Sequence, residues 1–182
     1  NADYKDVTIS SRTLEEWQNE GLCSLVDCLK VCKANGIIPI IELKDHLIND
    51  RAVYIYNLLK DMGMLNSMFL SFQEQALMAM LNYHPFDVIL AKNNNTVPTA
   101  EAIKAFKDRC CCGNNVYWHL FGADFNADYY SLFRDNGVKL AYGTANDSDT
   151  FNEWVSCCDM VMTDSLTTME RAEDWVVCVK WD

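Results

Sequence analysis

The chain of 182 residues has the length of one domain, and half of its residues are hydrophobic, enough to bury a core. Its net charge of −11 argues against a nucleic-acid or anionic-membrane surface, because binding such polyanions needs clustered Lys and Arg. No apolar run approaches the ~20 residues of a membrane helix, and the N-terminal NADYKDVTIS has neither the basic region nor the apolar stretch of a leader, so a cytoplasmic protein without a membrane span is expected.

In chain order the pattern alternates. Residues 13–34 carry Leu14, Trp17, Leu22, Leu25, Val26, Leu29 and Cys32 at helical spacing, with an interruption near Gly21. Asn35-Gly36 suits a left-handed helix end. IIPIIEL, residues 37–43, reads as a buried strand, and 48–62 as a helix stopped by Gly63. SMFLSF (67–72) predicts a strand, 73–83 a helix, FDVILAK (86–92) a strand, and 98–109 a helix with Pro98 near its start. NVYWHLF (115–121), VKLAYG (138–143) and DMVMT (159–163) predict strands; 127–136, 148–156 and 165–174 predict helices. The apolar run WVVCVKW (175–181) closes the chain and should pair with a sheet edge or a neighbouring chain.

The strands are continuous apolar runs, as expected for parallel strands covered on both faces. Strand and helix alternate in the βαβ rhythm. The expectation is a single α/β domain over residues 1–182 with six β/α units plus the C-terminal run. Nine cysteines lack paired C-x-x-C spacing and read as reduced interior thiols.

Polar residues gather just past the strands' C-terminal ends: Glu42 with Lys44, Ser71, Lys92, Asp124 with Asn126, Thr144 with Asn146, and Thr163 with Asp164. Ligands of parallel α/β folds bind at that end. Residues two apart on a strand share a face, so Glu42 and Lys44 aim at one ligand. A carboxylate suits a hard cation and an ammonium a phosphate. Of the three histidines, His46 follows the Glu42–Lys44 strand, His84 precedes Pro85 on a loop at the opposite end, and His119 lies within a strand as a wall residue. Asp45 reads as a capping or solvated carboxylate and NNNT (93–96) as a loop.

TISSRTLEEW, NGIIPIIELK, MFLSF, GADFNADYYSLFRDNGVKLAYGTAND and DMVMTDS resemble, in order and spacing, the second part of the glycerophosphodiester phosphodiesterase family. The resemblance runs over residues 7–166. It implies a TIM-type (β/α)8 barrel of the phosphodiesterase type, incomplete here, and hydrolysis of glycerophosphodiesters to glycerol phosphate and an alcohol with a divalent metal, Ca²⁺ or Mg²⁺. It places a metal ligand at Glu42 and the catalytic, phosphate-binding lysine at Lys44. Ser71 and Asn146 fall at substrate-facing strand ends. The aromatic that family members carry before T-x-N is replaced by Gly143.

The family's His-Arg-Gly strand, its Glu-Asn-Thr, its Glu-x-Asp metal ligands and its His-Asp pair find no counterpart in these residues. The expectation is therefore that this chain alone is inactive, and that an upstream segment or a partner chain completes the barrel. A second expectation is a degenerate, non-catalytic barrel acting as a structural or interaction module. A third is an unrelated parallel α/β binding protein, which predicts a site without Glu42 and Lys44 side by side.

Overall fold

A computed structural model describes residues 9–44, 49–93, 97–110, 113–121, 126–164 and 177–179. The chain divides into two compact units, one up to Pro39 and one from Ile40.

Among its described residues the first unit holds two helices, α1 (Leu14–Asn19) and α2 (Leu25–Ala34), after a short 3-10 turn at Ile9–Ser11. Each helix starts on a capping box. The Thr13 hydroxyl accepts from the Glu16 amide while the Glu16 carboxylate accepts from the Thr13 amide; Ser24 and Asp27 repeat the arrangement. The interruption expected near Gly21 is real, with Gly21 at φ +85°. Gly36, at φ +65°, follows the end of α2 as Asn35-Gly36 predicts. Trp17 and Leu29 are buried. The Arg12 guanidinium lies 4.8 Å from the Trp17 ring centre and pairs with Glu20 at 3.3 Å.

Among the described residues the second unit is a seven-stranded sheet in the order β1 to β7, every neighbouring pair parallel. The strands are β1 (Ile40–Glu42), β2 (Met68–Ser71), β3 (Asp87–Asn93), β4 (Val116–Phe121), β5 (Lys139–Gly143), β6 (Met160–Thr163) and β7 (Val177–Val179). Between them lie α3 (Asn49–Met62), α4 (Glu74–Leu81), α5 (Ala100–Arg109), α6 (Tyr129–Asp135) and α7 (Ser148–Val155). Each strand pairs with the next in sequence, which is the order of a (β/α) barrel wall rather than of a doubly wound sheet. The architecture is thus α/β with an incomplete TIM-type barrel, as the sequence predicts.

Both sheet faces are apolar, which explains the continuous hydrophobic runs. Ile40, Met68, Leu70, Ile89, Ala91, Tyr117, Ala141, Met160 and Met162 cluster on one face, the inner one. The alternate residues meet the helices: Trp118 packs edge-on against Phe106 of α5 at 5.7 Å and near Phe133 of α6 at 6.1 Å, and Tyr142 against Trp154 of α7 at 5.1 Å. Phe69 and Phe86 meet edge-on at 4.8 Å.

Two expectations change. β1 starts only at Ile40; Pro39 brings no N–H to a ladder, and Ile37 and Ile38 are 53% and 42% exposed instead of buried. The cysteines are not all interior: Cys110 and Cys158 are buried, whereas Cys23 and Cys28 are exposed. The helix expected over 165–174 lies outside the described residues. Of the run WVVCVKW, the described Val177, Cys178 and Val179 join the sheet, pairing with Val161, Met162 and Thr163. Among the described residues β1 and β7 each pair on one side only.

Candidate functional site

All seven strands are parallel, so their C-terminal ends share one rim, and the candidate site is built there. Ile40 belongs to the inner cluster; Glu42, two residues on, shares its face. The Glu42 carboxylate lies 3.6 Å from the Lys44 ammonium, with side chains 31% and 75% exposed. The two groups expected side by side are therefore brought together, at the mouth of β1 and open to solvent.

The loop carrying Lys44 is tied to β2. The Leu43 amide donates to the Leu70 carbonyl at 2.8 Å. Ser71, fully buried at the end of β2, donates its hydroxyl to the Leu43 carbonyl at 2.6 Å and accepts from the Gln73 amide at 3.0 Å. The Gln73 side chain donates to the Lys44 carbonyl at 3.2 Å. Ser71 and Gln73 thus hold the backbone on both sides of Lys44. The sequence marks Ser71 by its place at a strand end but carries no local signal for these bonds or for the role of Gln73.

Asn146 is exposed on the loop after β5. Its side-chain oxygen accepts from the Asp164 amide at 3.0 Å and lies 3.5 Å from the Thr163 hydroxyl, linking the ends of β5 and β6. The next residue, Asp147, caps α7 by accepting from the Thr150 amide at 2.8 Å, and this bond holds its carboxyl below the usual carboxylate range. Thr163 is buried. Its neighbour Met162 faces inward, so Thr163 alternates to the outer face.

Lys92 does not belong to the inner rim. It lies within β3 next to the inward-facing Ala91 and so projects from the opposite face. Asn126 accepts from the Asp128 amide at 2.9 Å. Asp45, His46, Asp124 and residues 94–96 lie outside the described residues.

His84 sits before β3, at the end of the sheet away from the rim, 4.7 Å from the Phe86 ring. His119 is buried within β4, as a wall residue should be, and registers between Ala91 and Ala141, whose small side chains leave room for an imidazole. A Cβ on Gly143 would come within 3.2 Å of His119 Nε2 and 2.7 Å of Met162 Cβ. Gly143 is therefore required by its surroundings: the position holds no side chain because β4 and β6 fill the space.

Among the described residues no three His, Cys, Asp or Glu side chains come together as a metal's donor set. Ca²⁺ and Mg²⁺ take about six or more oxygens, and Glu42 brings one carboxylate already beside an ammonium. The described residues alone do not fit such an ion. Among them no helix is long and apolar enough to cross a membrane.

No protein-family model matches the sequence, and no curated protein is significantly similar to it. Solved structures do match. A Silicibacter pomeroyi DSS-3 protein described as a glycerophosphoryl diester phosphodiesterase aligns with a TM-score of 0.61 and 15% identity, over 79% of this chain and 53% of its own. An Oleispira antarctica phosphodiesterase, solved with its product sn-glycerol-3-phosphate, aligns with a TM-score of 0.63 and 20% identity, over 77% of this chain and 56% of its own. The chain shares their fold and spans just over half of their length.

Proposed function

We propose that this chain is part of a glycerophosphodiester phosphodiesterase-type barrel, whose complete form hydrolyses glycerophosphodiesters to glycerol phosphate and an alcohol. The observation that carries this reading is the Glu42–Lys44 pair at the C-terminal end of β1, on the rim of a parallel sheet with consecutive strand order. The structural likeness to two phosphodiesterases supports it.

Lys44 presents a compact positive charge to a phosphate oxygen, on a backbone fixed from both sides by Ser71 and Gln73. Ser71 and Asn146 shape the rim beside it. A divalent cation, when bound, would supply Lewis-acid stabilisation of the phosphoryl oxygens. Glu42 is assigned as one of its ligands, the others coming from residues beyond those described. A general acid and base, worth about 10²–10⁴-fold in rate, must also come from elsewhere. Completion by an upstream segment or a partner chain is part of the reading, and the chain by itself is inactive.

The test is release of glycerol phosphate from glycerophosphocholine in Ca²⁺. The 182-residue chain should show no turnover. Fused behind a segment bearing the His-Arg-Gly and Glu-x-Asp strands it should gain activity, and Glu42→Gln should abolish that gain. Turnover by the chain alone, or a fusion indifferent to Glu42→Gln, would overturn the reading.

One set of contacts favours a second reading, a non-catalytic structural module. Glu42 and Lys44 neutralise each other, Ser71 bonds to the Leu43 carbonyl, and Asn146 accepts from Asp164. A fusion that folds, binds no Ca²⁺ and hydrolyses nothing would select it.

A further inference from the structure

The first unit carries a group of thiols that plays no part in the rim. Cys23, Cys28 and Cys32 fall within ten residues; Cys23 and Cys28 are exposed and Cys32 half-buried, all as free thiols. Their places are set by the helix start. Ser24 is the N-cap of α2, with the Ser24–Asp27 capping box formed: the Asp27 amide donates to the Ser24 hydroxyl at 3.1 Å, and that hydroxyl donates to Asp27 at 2.6 Å. Cys23 is then the residue before the cap, and Cys28 the fourth residue of the helix. These are the two positions whose side chains meet across a capping box, where apolar pairs ordinarily pack as a staple. Here both are cysteines. Burial first, and then the neighbouring Cys23 and Cys32, push the Cys28 thiol up.

We propose that Cys23 and Cys28 form a surface dithiol that hydroperoxides oxidise to an intramolecular disulfide, stapling the loop after Gly21 to the first turn of α2. The step balances as follows. One thiolate attacks a peroxide oxygen, the O–O bond breaks, and a sulfenic acid results together with the peroxide's leaving alcohol, or water when the oxidant is hydrogen peroxide. The second thiol attacks that sulfur, forming the S–S bond and releasing water. Two thiols are oxidised and one peroxide is reduced. Both thiols are exposed, so either one makes the first attack and the other closes the bond. Cys32 is the lesser competitor: it lies one helical turn from Cys28, and the near-parallel side chains of one helix face suit disulfide geometry poorly.

Trypsin separates the alternatives. Cleavage after Arg12, Lys30 and Lys33 puts Cys23 and Cys28 in one peptide, residues 13–30, and Cys32 in another, residues 31–33. The reduced protein is treated with equimolar hydrogen peroxide, blocked with N-ethylmaleimide, digested and weighed. The proposal expects peptide 13–30 to lose two hydrogens, take no maleimide and revert with dithiothreitol, while peptide 31–33 stays alkylated. Cys23→Ser and Cys28→Ser, both at exposed positions, should each leave the remaining thiol open to maleimide or to a sulfenic-acid trap. A doubly alkylated peptide 13–30, a bridge between the two peptides, or a serine variant that oxidises like the parent would overturn it.

Discussion

Gly143 shows how one missing side chain is dictated by its neighbours. A Cβ there meets Met162 Cβ at 2.7 Å, below any ordinary contact, and the His119 ring at 3.2 Å. Gly143→Ala should therefore destabilise the protein by about 1–3 kcal/mol through overpacking, read as a lower urea midpoint at unchanged slope. Adding Met162→Gly, which removes the Cβ that is met, should recover part of the loss; strict additivity of the two substitutions would refute the contact as the cause. In the sequence, Gly143 stands where the resembled family carries an aromatic. Its real constraint, a methionine on β6 and an imidazole on β4, is invisible without the register that sets the three strands side by side. Ser71 carries a similar lesson: its place at a strand end was legible, its bond to the Leu43 carbonyl was not. Ser71→Ala leaves a buried carbonyl unpaired and should cost about 1–3 kcal/mol in chemical denaturation, whether or not a ligand is bound. A loss seen only as weaker ligand binding would instead make Ser71 a contact residue alone.

At the scale of elements, α1 and α2 owe their starts to capping boxes. Hydrogen bonds from Thr13 hold the Glu16 carboxyl below its ordinary value of 4.5, and bonds from Ser24 hold Asp27 below 3.8. With the folded values lowered, the unfolded chain takes up protons first as pH falls. The contribution of these carboxylates is thus present above the ordinary values and lost as pH drops through the lowered ones. Far-UV circular dichroism should show helix loss beginning below about pH 4.5, the ordinary carboxylate range, and Ser24→Ala should cost about 0.5–2 kcal/mol at neutral pH. An acid transition unchanged by Ser24→Ala and Thr13→Ala together would contradict this. The alternation of helix and strand was legible because each element carries its own period and its own stop, such as Asn35-Gly36 or Gly63 at φ +66°. Facing was harder to read. Lys92 and Ala91 are adjacent letters, and only the inner cluster decides which of them points inward. Bonds across sequence, such as the forked pair between Arg109 of α5 and Glu74 of α4, left no local signal.

For the molecule as a whole, the consecutive parallel order of seven strands puts every strand's C-terminal end on one rim and His84 at the other end of the sheet. The central claim is that this rim, around Lys44, recognises a glycerol phosphate group. The direct measurement is a titration of the isotope-labelled protein with sn-glycerol-3-phosphate, followed by amide chemical shifts. The account predicts saturable changes at Lys44, at Gln73 and around Asn146, lost in Lys44→Ala, with the amides of His84 and Phe86 unmoved. Saturating ligand with no changes at the rim, or changes centred on the His84 end, would contradict it.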